Sequence, residues 1–167
     1  MRDLAIVVVL LAMTVTSSAA EGTPPPCSDA SYRQFDFWLG EWTVTTPDGK
    51  LAGTNSITAV YGGCALREEW SGAGGSRGGS FNMFDRNTGR WHQSWVDNSG
   101  GLLLLDGELK DRKMQLRGTS RTEDRETIDR ITWSPLAGGK VRQYWEQSTD
   151  GGKSWSVIFD GTYTKKK

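Results

Sequence analysis

From Glu41 onward, apolar and polar residues alternate over short runs, and clusters rich in Gly, Asp and Pro separate the runs. Successive side chains of a strand point to opposite faces, so a period of two marks half-buried strands and not helices. The punctuation falls at Pro47-Asp48-Gly49, Gly62-Gly63, Gly72 to Gly79, Asp85 to Gly89, Asp97 to Gly101, Lys110-Asp111-Arg112, Ser120 to Arg125, Ser134 to Gly139 and Thr149 to Lys153. These breaks divide the chain into about ten strands. Short connections make each strand pair with its sequence neighbour, and closing the sheet on itself removes its exposed edges. The expected fold class is all-β, an up-and-down antiparallel barrel of about ten strands.

One stretch departs from this period. Between Asp29 and Leu39, Tyr32, Phe35, Trp38 and Leu39 fall on one side of a helix, with Ser28 placed to cap it. The segment Phe35-Asp36-Phe37-Trp38-Leu39-Gly40-Glu41-Trp42 then sets four aromatic rings and a glycine at the helix-to-strand boundary. Rings bury large areas and glycine allows close backbone approach, so this segment is expected to close one end of the barrel, with Trp42 entering the core.

Ahead of the helix the pattern changes again. Leu4 to Val15 is apolar but for Thr14, and Ser18-Ala19-Ala20 offers the small residues of a signal-peptidase site. The run is shorter than the ~20 residues that span a bilayer. Residues 1–20 are therefore expected to be a signal peptide, 21–28 a proline-rich arm and 29–167 the barrel domain, in a secreted, periplasmic protein. The 20 basic and 20 acidic residues cancel, which argues against a nucleic-acid or anionic-membrane partner. In an oxidising compartment Cys27 and Cys64 are expected to form a disulfide tying the arm to an early strand.

Several short motifs lose their chemistry in context. Gly74-Gly75-Ser76-Arg77-Gly78 spells a nucleophile elbow, yet it lies between strands, where the elbow needs a following helix. Ser148 to Trp155 spells an Asp-box, a turn scaffold that occurs once here, whereas a propeller repeats it. His92 is the one histidine, and no metal-ligand spacing accompanies it. No catalytic residue, cofactor or metal is assigned.

Alternation does assign an inward face. Leu66, Glu68 and Trp70 share one side of their strand, as do Ser80, Asn82 and Phe84, Trp91, Gln93 and Trp95, and Arg142, Tyr144 and Glu146. Rings mixed with isolated polar groups suit a binding cavity, so Glu68, Trp70, Asn82, Gln93, Trp95, Arg142 and Tyr144 are the expected ligand-binding residues. In a filled barrel the same polar groups would satisfy one another, for example Glu68 with Arg142 or Arg130. Trp133, Trp145 and Trp155 are expected in the core or barrel wall, and Leu102 to Leu105 in a strand buried on both sides.

The segments FDFWLGEW, GGCALREEW, GRWHQSWVD, STDGGKSW and FDGTY resemble a bacterial family of unknown function with calycin-like barrels, related in architecture to lipocalins, fatty-acid-binding proteins and nitrobindins. Gly40-Glu41-Trp42 fits the Gly-x-Trp that lipocalin-like proteins place on the first strand. The resemblance implies a basic residue over that Trp, a place Lys165 or Lys166 would fill, and a ligand cavity. Nitrobindin-like barrels hold haem through a histidine near the carboxyl end, whereas His92 lies mid-chain. The function that follows is binding of a small, largely apolar ligand in the cavity. The alternatives are a filled-barrel structural or interaction module, a small-molecule isomerase or lyase using Glu68, and a haem-binding nitrobindin-like protein.

Overall fold

The structure, a computed structural model, describes residues 24–166, so the leader expected over 1–20 lies outside the described residues. Its strands are β1 (Gly40–Thr45), β2 (Leu51–Val60), β3 (Ala65–Gly72), β4 (Arg77–Asp85), β5 (Arg90–Asp97), β6 (Leu102–Lys110), β7 (Lys113–Arg121), β8 (Glu126–Pro135), β9 (Val141–Ser148) and β10 (Ser156–Lys165). Each pairs antiparallel with its sequence neighbour, and β1 also pairs with β10, from Trp42 opposite Lys165 to Thr45 opposite Thr162. The sheet is a closed barrel of ten antiparallel strands, an architecture consistent with a calycin-like fold. Closure leaves no strand edge exposed along the ring.

The helical segment is shorter and more broken than its sequence spacing suggests. An α-turn, α1 (Ala30–Arg33), is followed by a separate 3-10 turn at Asp36–Trp38. The residue at the start of α1 is Asp29, and no side chain caps it, so the expected cap by Ser28 is not made. Packing explains the break. A 3-10 turn has about three residues per turn, which eclipses positions i and i+3 and lets Phe35 and Trp38 enter the barrel together. Their rings stack at 4.9 Å, and Phe35 meets Trp91 and Trp133 edge-on at 5.6 and 5.2 Å. Phe35, Trp38, Trp42 and Trp133 are fully buried. The aromatic segment thus closes this end as expected.

Two further contacts hold the plug. Trp42 Nε1 donates to the Trp38 carbonyl at 2.9 Å, and Lys165 lies over the Trp42 ring at 5.4 Å. The disulfide Cys27–Cys64 forms, with Cα atoms 5.0 Å apart, and ties the arm to the corner between β2 and β3. Arg33 donates to the Gly63 carbonyl beside it.

Two expectations about barrel faces need correction. Leu103 and Leu105 point inward, but Leu102 and Leu104 stand on the outer face, 60% and 51% exposed. A one-layer barrel has no second sheet to cover that side, and the plug covers an end instead. Trp155 is likewise outside, in the turn before β10, where the Arg130 guanidinium stacks on it at 3.9 Å.

Candidate functional site

The plug fills one end of the barrel, and the opposite end holds a cavity of about 360 Å³. Trp70 from β3, Trp95 from β5, Trp145 from β9 and Phe159 from β10 form its aromatic walls, with Leu103 and Ile131 between them. Glycines make room for these rings. A Cβ added at Gly78 would lie 2.3 Å from the Trp95 ring, one at Gly53 2.8 Å from Trp70, and one at Gly161 2.5 Å from Phe159. Removing the side chain opposite each ring lets the ring lie against the wall and leaves the centre open.

The cavity floor is polar. Glu68 Oε1 accepts from Asn55 Nδ2 at 2.7 Å, and Glu68 Oε2 accepts from Ser80 Oγ at 2.6 Å. Ser80 Oγ itself accepts from Asn82 Nδ2 at 2.8 Å and Gln93 Nε2 at 3.3 Å, so its own proton is directed to Glu68. Gln93 Nε2 also donates to Asn82 Oδ1 at 2.8 Å. Across the floor, the Tyr163 hydroxyl donates to Gln143 Oε1 and accepts from Asn55 Nδ2 at 3.4 Å. The network therefore converges on one carboxyl group.

Burial still dominates that group. Desolvation pushes the Glu68 pKa up to about 7, against the opposing hydrogen bonds from Ser80 and Asn55. Tyr163 is raised well above its ordinary value, first by burial and then by the charge of Glu68. At the rim the logic reverses. Asp97 is pushed down to about 2 by the Ser99 hydroxyl and amide, the Gly101 amide and Trp95 Nε1, so it is ionised at neutral pH.

Of the residues expected from sequence, Glu68, Trp70, Gln93 and Trp95 come together on the cavity. Asn82 lies behind them, fully buried, bracing Ser80 and Gln93. Arg142 and Tyr144 do not join them and stand on the outer face, which corrects the inward placement of this strand. Register is the reason: Gln143 pairs with Gly161 and with the buried Trp133, so Val141, Gln143 and Trp145 face inward. Arg142 instead binds Asp160 through two hydrogen bonds of 2.7 Å and stacks over Tyr144 at 4.6 Å. The ion pair of Glu68 with Arg142 or Arg130 is also absent, because Arg130 binds Glu146 at 3.0 Å on the outside.

Asn55, Gln143, Trp145, Phe159 and Tyr163 belong to the site and were not anticipated as ligand-binding residues. The alternation Val141, Gln143, Trp145 carried the signal in β9, in competition with the equally mixed Arg142, Tyr144, Glu146. His92 stands on the outer face, with Nδ1 2.8 Å from Asp106 and Nε2 2.8 Å from Ser94, so no imidazole reaches the cavity. Among the described residues no group of three or more His, Cys, Asp or Glu could hold a metal ion. Ser76 sits at the rim, accepting from Trp70 Nε1 at 3.2 Å, and the Asp-box forms the turn before β10, with Asp150 Oδ1 accepting two backbone amides at 2.9 Å. A scan against protein-family models finds no match to the chain, and a search of curated proteins finds none either.

Proposed function

We propose that this protein binds a small, largely apolar organic molecule in the open half of its barrel, as a secreted binding protein of calycin-like type. The observation that carries this reading is the cavity itself, about 360 Å³ between aromatic walls and over a floor of fixed polar groups. Apolar walls supply affinity and a few oriented polar groups select the ligand, the usual division of labour in small-molecule sites. A filled module is less well supported, because side chains pack only the plug end to closure.

The disulfide is consistent with an extracytoplasmic compartment. Among the described residues no helix is long and apolar enough to cross a membrane. Export would be accompanied by removal of residues 1–20, leaving an arm over 21–28 and the barrel over 29–167. Native mass spectrometry of protein purified from its own compartment tests both parts. A reproducible bound mass on a chain beginning at Glu21 is the expected result. A ligand-free spectrum, with no saturable quenching of Trp fluorescence by a panel of apolar compounds, overturns the binding reading.

A further inference from the structure

The cavity joins two features that ordinarily call for different ligands: an aromatic box and a buried acid. Four rings, Trp70, Trp95, Trp145 and Phe159, surround the space above Glu68. Among the described residues no lysine or arginine meets Glu68. Its partners on the neighbouring strands, Asn55 and Ser80, are neutral, and Gln143 and Tyr163 face it across the floor. Among the described residues the one basic side chain on the lining, Arg77, is at the rim and donates to Ser71 Oγ at 3.2 Å. Asp97, the other charged residue on the lining, is an anion. Ring faces carry negative potential and attract cations most strongly where water is excluded. A carboxylate ligand, by contrast, would meet Glu68 with no cation to offset it.

From this arrangement we infer that the ligand is an organic cation, an ammonium group on a small apolar or aromatic body, with the ammonium seated on Glu68 and the body between the rings. The inference rests on the binding function proposed above and specifies the chemical class. Neither charge needs a protein counter-ion, because each is the counter-ion of the other. The pKa of Glu68, pushed up to about 7 by burial, adds a consequence. Ammonium binding favours the ionised carboxylate, so a site half protonated near neutrality releases protons as it fills. On the lining, Asp97 is held ionised well below this range and Tyr163 neutral well above it, so Glu68 is the lining group placed to change charge near neutrality. The buried carboxyl of Asp129 meets the box from outside the lining, accepting from Trp145 Nε1 at 2.7 Å.

The test uses three probes of one shape, phenethylamine, phenethyl alcohol and phenylacetate, titrated by calorimetry and by Trp fluorescence. The amine is expected to bind about tenfold or more tighter than the alcohol. Glu68→Gln should reduce the amine to the affinity of the alcohol and leave the alcohol unchanged, while the outer-face control Arg142→Ala changes neither. If Glu68→Gln does not fold, the native protein supplies the same comparison: amine affinity should fall as pH is lowered from about 8 to about 5, with the alcohol flat. Equal binding of amine and alcohol, tighter binding of phenylacetate, or an amine affinity indifferent to pH overturns the cation assignment and leaves cavity binding standing. Failure of all three probes to bind overturns the cation assignment, and joined to a ligand-free native mass spectrum and no quenching by the wider panel of apolar compounds it overturns the binding function as well.

Discussion

Glu68 carries an electrostatic cost that its neighbours do not repay. Both its oxygens accept hydrogen bonds, yet the group is 5% exposed and faces no cation among the described residues, so desolvation outweighs the donors. Its folded pKa of about 7 lies above the ordinary 4.5, which fixes the sign of the pH dependence. The unfolded chain sheds this proton first, so the associated stability is complete below pH 4.5, declines as pH rises to about 7 and is level above. The loss amounts to roughly 3 kcal/mol, since one pKa unit corresponds to about 1.4 kcal/mol. Urea midpoints of wild type and Glu68→Gln at about pH 4.5 and pH 8 check this: wild type should lose stability between them and the variant should lose much less. Gln fits because Ser80 still has an acceptor, and Asn55, whose Oδ1 is buried without a partner, can turn to accept from the new amide. An equal decline in the variant would place the titrating group elsewhere.

At the level of elements, the turn chemistry is mostly favourable, but the β6–β7 hairpin is not. Between β6 and β7 the paired residues Lys110 and Lys113 leave a two-residue loop, Asp111-Arg112, at φ 50° and 62°. Two positive φ values suit the right-handed twist of a hairpin, but they suit Asn-Gly far better than Asp-Arg. Replacing Asp111-Arg112 by Asn-Gly should raise stability by about 1 kcal/mol, read as a higher denaturant midpoint at unchanged slope. An unchanged or lower midpoint would mean that the side chains of this loop contribute more than its backbone costs. The same element scale shows how far pattern reading goes. Nine breaks predicted ten strands, and ten strands form, because Gly and Asp turns leave the backbone few alternatives. The face of β9 was not legible, because Arg142-Gln143-Tyr144-Trp145-Glu146 sets a ring and a polar group on both sides. Its register against Gly161 and Trp133 settled the choice.

The whole molecule divides into a packed end and an open end, and the stapled arm belongs to the first. Cys27 and Cys64 are 37 residues apart, so their bond closes a long loop in the unfolded chain. In the chain-entropy model such a loop is worth about 3 to 4 kcal/mol, and Cys27→Ser with Cys64→Ser should lose that amount in chemical unfolding. The aromatic plug should survive the change, because Phe35, Trp38, Trp91 and Trp133 hold one another independently of sulfur. Near-UV circular dichroism, which reads the packing of those rings, should therefore keep its native form in the variant. Its collapse would show that the arm depends on the bond to stay docked.

Strand number, pairing order and the aromatic plug were determined by the sequence itself, because periodicity, turn residues and ring density act locally along the chain. Which polar groups meet at the centre was decided only by the tertiary structure. Strands distant in sequence, such as β2, β4 and β10, must close into one ring before Asn55, Ser80 and Tyr163 assemble around Glu68. Glu68 could be picked out from its own strand. That it faces amides, a hydroxyl and a phenol, and no guanidinium, follows from barrel closure and cross-strand register, which no single segment encodes.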